Sequence, residues 1–402
     1  MNYITSLLTQ DLYKYSMASF VYKVCPTCKV KVEFKCRSDE KIGHLKPIVD
    51  EQLDALCGLH YTDEEIKYLR SIPWLSEDFV NYLRRFYLFR DQVHTEVDET
   101  GQLKMWAEGP WLDVIWFEVP CLAIVEQAYT ECKIKESPID EDILMQGALD
   151  KFHRKVERLD SLYAKYPFSL SEFGLRRRCS GKWEDKVVSV LSWKRWFSGT
   201  SNVFLAEKHA VKPSGTMAHE IFMGMQGAKN IHGIGVPLRD VQKETWRLWM
   251  EVFRGRNGIM LTDPFGARAC MDDLDWYTAN AFSGFRHDSG NPVQWGDAMI
   301  GRLTELGIDP RTKTFVWSDC LDIDMIEKLA ERFDGGVKVA FGVGTNLVHD
   351  IPGIKPLSIV MKMTYSNGQP VLKLSDDPGK GMCPDPGLVE YAKKVYGYKQ
   401  LV

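Results

Sequence analysis

The sequence predicts an α/β fold: an irregular (β/α) barrel of about seven strands, plus an α+β domain built from the N- and C-terminal segments. Three observations carry this. Between residues 168 and 346, short apolar runs ending in Gly, Ser, Asp or Thr alternate with helical stretches, the rhythm of parallel strands joined by helices. Before residue 130 the strand-like segments alternate strictly or form hairpins instead. After residue 355 that second style returns, so the two ends should share one domain. The expected units are 1–135 with 355–402, and 136–354.

Residues 6–22 place Leu8, Leu12, Tyr15, Met17 and Phe20 roughly on one helical face. "KVKVEFKCRS" (29–38) alternates as a half-buried strand does. Residues 45–57, 62–71 and 77–88 read as helices, and 94–109 as a hairpin around Thr100-Gly101. The apolar run at 111–129 predicts a further strand, and 138–166 a long helix. The seven barrel strands are predicted within 168–174, 194–202, 214–220, 257–265, 281–290, 312–319 and 337–346. Helices such as 238–255 and 324–333 lie between them. Asn367-Gly368 marks a tight hairpin turn in the tail.

Composition excludes several classes. Apolar residues at 45% and charged residues at 26% suit a globular chain with a core. A net charge of −4 gives no general pull toward nucleic acid or an anionic membrane. No apolar run reaches the roughly 18 residues a membrane span needs, and the N-terminus lacks the basic start and apolar core of a secretory signal. A cytoplasmic protein with reduced thiols is expected, its ten Cys being scattered. Cys25 and Cys28 form a C-x-x-C, but a structural zinc site needs a second ligand pair, and no other C-x-x-C exists.

Polar and ionisable residues gather at the predicted C-terminal strand ends, where α/β proteins build their sites. In "VAFGVGTN", Gly342 and Gly344 would let backbone N–H groups approach a phosphate, with Thr345 adding a hydroxyl; a plain turn is the alternative. In "FRHDSGNP", Arg286 offers a fork for a carboxylate or phosphate, and Asp288 could accept from ribose hydroxyls or Mg²⁺-bound water; a structural Arg–Asp pair is the alternative. Asp263 and Asp319 occupy equivalent strand ends. Arg176, Arg177 and Arg178 follow Phe173, and at least one should point inward. His219 in "KPSGTMAHEIF" is open to three readings: a packed core histidine, a metal ligand, or a chemical group.

Together "LTQDLYKYS", "EFKCRS", "EFGLRRR", "GTSN", "GTMAHE", "FRHDSGNP", "SDCLD", "FGVGTN" and "KLSDDPGK" resemble the nicotinate phosphoribosyltransferase family, in the family's order. The resemblance implies a type II phosphoribosyltransferase fold and a homodimer with shared active sites. It implies that Tyr13, from the neighbouring subunit, and Phe173 sandwich a pyridine ring, a task for flat aromatic faces. It further implies that Arg286 binds the ring substituent and that Asp263 and Asp288 bind ribose. Gly342, Gly344 and Thr345 would cradle the 5′-phosphate. Arg37, Arg176, Lys362 and Lys373 would lie near the other phosphates, and His219 would be phosphorylated by ATP. Mg²⁺ is expected through substrate phosphates, with no protein ligand assigned. The implied small molecules are nicotinate, phosphoribosyl pyrophosphate and ATP, in NAD salvage; no nucleic acid or membrane is expected.

Two alternatives stay open. A nicotinamide phosphoribosyltransferase of the same superfamily carries Asp where this chain has Ser201, and that carboxylate would repel nicotinate. A metal-dependent barrel hydrolase would need several His ligands, often as H-x-H, which the sequence lacks. Cys320 departs from relatives with Gly after S-D. Glu220 has no assignment: on a strand, the residue after His219 should face away from it.

Overall fold

The computed structural model describes residues 2–228, 235–377 and 380–401. Pro378 and Gly379 of the "KLSDDPGK" motif lie outside the described residues. In chain order the strands are β1 (Lys29–Cys36), β2 (Val93–Val97), β3 (Leu103–Pro110), β4 (Ser169–Glu172), β5 (Phe197–Thr200), β6 (Ile259–Leu261), β7 (Gly284–His287), β8 (Thr314–Trp317), β9 (Lys338–Val343), β10 (Ile359–Ser366) and β11 (Gln369–Pro370).

β1 shows the alternation its sequence demands, with Val30, Val32 and Phe34 turned into the core. It pairs antiparallel with β3 on one side and β10 on the other, from Val30↔Ser366 to Cys36↔Ile359. The antiparallel sheet runs β11-β10-β1-β3-β2, so the tail strand lies beside the N-terminal one. Asn367 (φ 48°) and Gly368 (φ 75°) supply the two left-handed residues that a two-residue hairpin turn needs.

The parallel sheet runs β5-β4-β9-β8-β7-β6 and has six strands among the described residues, not seven. The expected strand at 214–220 is absent. Instead, an extended segment makes a parallel bridge, Thr200↔Pro213, beside β5. Thr216 Oγ1 then donates to Ile259 O at 2.9 Å, beside β6. This segment spans the gap between the sheet's two edges. It leads into a helix, His219–Gly227, so His219 stands in a first helical turn and not on a strand. Gly199 fits beside it because a Cβ there would collide with Lys212 O.

The apolar run at 111–129 is also helical, as Trp111–Val114 and Glu118–Glu136. Residues 118–130 are all buried, and periodicity cannot separate a helix buried on every face from a buried strand. The first helix starts at Leu12, later than the apolar pattern suggested. The chain before it instead makes an antiparallel bridge, Asp11↔Asn202, at the end of β5.

Because the six strands are parallel, their C-terminal ends share one edge. Below it the core is aromatic: Trp295, Phe315, Trp317, Phe333 and Phe341 are buried, with Trp317 stacked on Phe333 at 5.0 Å. The helix His219–Gly227 seats on Trp111, whose indole would lie 2.0 Å from a Cβ on Gly224. Gly224→Ala should therefore destabilise the protein by about 1–3 kcal/mol in urea unfolding, since overpacking a rigid indole outweighs the helix-propensity gain of roughly 1 kcal/mol. An unchanged urea midpoint would show that the indole can move aside.

Candidate active site

Three chain segments converge on Asp263, just past β6. Its Oδ1 lies 2.9 Å from His219 Nε2, and its Oδ2 accepts from Ser289 Oγ at 2.6 Å. Lys373, from the tail, places Nζ 3.0 Å from His219 Nε2 and 3.7 Å from Asp263 Oδ2. His219 Nδ1 faces Asp288 Oδ2 at 3.7 Å. Burial pushes His219 below its ordinary 6.5 and Lys373 adds to this, although Asp263 and Asp288 oppose it. The imidazole is thus neutral near pH 7. Burial alone would raise Asp263, but His219, Lys373 and the donated hydrogen bonds hold the carboxyl well below its usual range. A neutral imidazole can donate from Nε2 to this carboxylate, which leaves the lone pair on Nδ1, or accept there from Lys373, which leaves the proton on Nδ1 facing Asp288.

Asp288 accepts from Ser318 Oγ at 2.9 Å, and Arg286 lies 3.9 Å from it. Arg286 Nε is buried and lacks a hydrogen-bond partner among the described residues, an unspent donor at a strand end. His287, from the same strand, turns toward Gly290 O and Trp295 and is a packed core residue. His219, Asp263 and Asp288 offer donor atoms within 4.8 Å of one another. That set of two carboxylates and an imidazole suits a divalent cation.

A second group surrounds Tyr13. Ser201 Oγ donates to Asp11 Oδ1 at 2.6 Å, and Arg176 Nε lies 3.3 Å from Asp11 Oδ2. The Arg176 guanidinium sits 5.6 Å from the Tyr13 ring centre. Among the three arginines Arg176 joins this group. Arg178 is buried against Glu184 at 2.8 Å, and Arg177 reaches Ile359 O at 3.4 Å. Within the chain the Tyr13 ring is buried beside Arg176, because Asp11 and Leu12 are tied to the end of β5.

Phe173 is positioned by Glu172, whose carboxylate accepts from Gly174 N and from Thr200 Oγ1. Burial, reinforced by Glu184, pushes Glu172 well above the usual carboxylate range. Gly342 lies against Phe173: a Cβ there would come within 2.3 Å of the ring. Gly344 is equally confined, 2.9 Å from Phe173 O by the same measure, and precedes the short helix that Thr345 begins. Both glycines thus have a packing reason for their identity. Asp319 pairs with Lys380 at 2.6 and 2.7 Å, and Cys320 follows it, exposed and left-handed (φ 48°). Lys362 lies 3.4 Å from Glu118. Arg37 is tied by its backbone N–H to Ser358 O at 2.7 Å, and no ion pair joins it to the His219 group among the described residues.

Sequence reasoning missed Asp11, Lys14, Glu118, Ser289, Ser318 and Lys380. All but Glu118 lay inside quoted motifs, so their position was a usable signal. Glu118 was hidden in a segment read as an apolar strand. Glu220, expected to face away, is buried and accepts from Lys14 and from Trp111 Nε1 at 2.8 Å. A helix turns successive residues by about 100° and not 180°, which allows this.

Residues 168–400 match the profile of the Nicotinate phosphoribosyltransferase (NAPRTase) family, and residues 8–126 match that family's N-terminal domain. The chain is similar to the nicotinate phosphoribosyltransferase of Burkholderia ambifaria (strain MC40-6), with 40% identity over 99% of this chain and 98% of the relative. That of Bordetella petrii is 40% identical, with 98% of each chain covered. Among solved structures, the nicotinate phosphoribosyltransferase from Vibrio cholerae superposes with a TM-score of 0.91 at 35% identity, covering 99% of this chain and 94% of that one. The enzyme from Porphyromonas gingivalis gives 0.87 at 28% identity, covering 98% and 100%.

The tail that carries Lys373 is held by Asp376. Its N–H donates to Ser289 Oγ at 3.0 Å, and its carboxylate accepts from Ala267 N at 2.9 Å. Burial pushes Asp376 from 3.8 to about 7, with Asp263 and Asp377 adding to the shift. A folded value above the unfolded one gives stability that is fully present below pH 3.8 and lost as pH rises toward about 7. Asp376→Asn keeps an acceptor for Ala267 and should remove this loss. Its stability relative to wild type should rise with pH by on the order of 1 kcal/mol per unit across that window. A stability difference that stays flat with pH would refute the assignment.

Proposed function

The chain belongs to the nicotinate phosphoribosyltransferase family, and from that membership we propose that it joins nicotinate to phosphoribosyl pyrophosphate in an ATP-coupled step of NAD salvage. The nicotinate ring nitrogen attacks C1 of the ribose as the C1–O bond to pyrophosphate breaks. The products are nicotinate mononucleotide and pyrophosphate. The ring nitrogen is already nucleophilic, so the protein's work is orientation and charge neutralisation.

In this reading Phe173 and Tyr13 hold the ring, and the unspent Arg286 donor takes its carboxylate. Asp263, Asp288 and Asp319 face the ribose, while Gly342, Gly344 and Thr345 face the 5′-phosphate. Arg37, Arg176, Lys362 and Lys373 neutralise the remaining phosphates. Mg²⁺ would supply further charge neutralisation on those phosphates. Asp288, more exposed than the buried Asp263, is the carboxylate placed to hold it.

The observation that carries the ATP step is the neutral, buried His219 directed by Asp263 through Nε2. Its Nδ1 lone pair attacks the γ-phosphorus, releasing ADP, and later hydrolysis of the phosphohistidine releases phosphate. A homodimer and a cytoplasmic location are carried over from the family resemblance. No helix among the described residues is long and apolar enough to cross a membrane.

One observation favours nicotinamide as an alternative substrate. Ser201 does not clear the site of carboxylates, because Asp11 lies 2.6 Å from its hydroxyl. Arg176 pairs with Asp11 and offsets that charge. Turnover assays with each pyridine, with and without ATP, separate the two; product from nicotinamide alone would overturn the nicotinate reading. With γ-labelled ATP, wild-type protein should take up acid-labile phosphate and His219→Ala should take up none. Because His219 titrates below 6.5, the acid limb of the labelling rate should fall below that pH. A limb centred at or above it would show that burial does not hold the imidazole neutral.

A further inference from the structure

We propose that Lys14 and Glu220 are positioning residues: a buried strut that holds the nicotinate-binding group at a set place relative to the helix carrying His219. This rests on the reading of Tyr13 and Phe173 as the ring site. Lys14 directly follows Tyr13 in the first turn of its helix, and Glu220 directly follows His219 in the first turn of another. Lys14 Nζ contacts Glu220 Oε2 and lies 2.7 Å from Glu118 Oε2. Glu220 Oε1 accepts from Trp111 Nε1 at 2.8 Å, and Glu118 Oε1 faces Arg176 at 3.7 Å and Lys362 at 3.4 Å.

All four oxygens of the two carboxylates are therefore committed: one from each meets Lys14, and the other two meet Trp111 and the Arg176–Lys362 pair. The cluster is also balanced, with Lys14, Arg176 and Lys362 against Asp11, Glu118 and Glu220. Burial alone would lower the Lys14 ammonium, but Glu118 and Glu220 outweigh it and hold it raised.

Stability is a weak reason for such a cluster, since buried ion pairs can often be replaced by apolar residues at little cost. Its geometric effect is specific. Asp11 and Leu12 are tied to Ser201 at the end of β5, and Lys14 is tied to the His219 helix. Tyr13 lies between these two anchors, so its ring cannot shift against Arg176 unless one of them yields. The Lys14–Glu220 contact reaches the ring through Tyr13, and among the described residues it makes no hydrogen bond or ion pair with Asp263, Asp288 or the segment after β9; the phosphate-facing Arg176 and Lys362 meet the cluster at Glu118 instead. A defect confined to the Lys14–Glu220 contact should thus be felt more by nicotinate than by phosphoribosyl pyrophosphate.

The test uses the full chain and steady-state kinetics. Glu220→Gln keeps an acceptor for Trp111 but removes the charge that grips Lys14. It should raise the KM for nicotinate about tenfold while leaving that for phosphoribosyl pyrophosphate within about twofold. Lys14→Met should do the same, and the double variant should raise the nicotinate KM no further than the worse single one, because both break one link. Should either single variant fail to fold, Lys14→Arg, which keeps the charge, gives the same split at smaller amplitude. An unchanged nicotinate KM in folded Glu220→Gln, or both KM values rising together, overturns the strut. Wild-type protein that turns over no nicotinate sinks the parent reading and the strut with it; wild-type turnover with an unaltered Glu220→Gln KM sinks the strut alone.

Discussion

The geometry of the site depends on how the buried Asp263 carboxylate is shared. One oxygen faces His219 and the other takes the Ser289 hydroxyl, with Lys373 approaching from the tail. These partners come from the helix at 219, the loop after β7 and the C-terminal segment. A buried, ionised carboxylate is tolerated only when its oxygens are satisfied. Satisfying them brings the helix at 219, the C-terminal tail and the parallel sheet to one point. The same carboxylate orients the imidazole, so the group that ties these segments together also sets where the histidine nitrogens point.

A second buried charge group, around Glu118, lies between the aromatic ring site and the His219 helix. The two groups differ in kind. Around Asp263, burial acts on a single histidine and shifts it toward neutrality. Around Glu118, three cations and three anions balance, and what they specify is distance. Activation and orientation thus use separate sets of charges on one sheet edge.

The alternation of β1, the Asn367-Gly368 hairpin and the return of the tail to the N-terminal sheet were legible because each is a local pattern with a period of two or a demand for positive φ. His219, Asp263, Asp288 and Arg286 were singled out by residue type within short motifs, and the structure brings them close to one another. Two segments were misread for physical reasons. Residues 111–129 are apolar on every face, so no period separates helix from strand. Residues 214–220 look strand-like because they run extended, but the sheet offers them only one bridge, and the helix takes over at His219.

The sequence by itself determined the α/β class and the polar strand ends, which rest on residue type and short spacing, and the family and the histidine most worth testing, which rest on the resemblance its motifs carry. The tertiary structure alone decided that the Tyr13 ring packs beside Arg176, that Arg176 and not Arg178 joins this group, and that Glu220 reaches Lys14 206 residues away. Such pairings are set by burial and by which opposite charge the packed chain brings within reach. Neither quantity leaves a mark on local sequence.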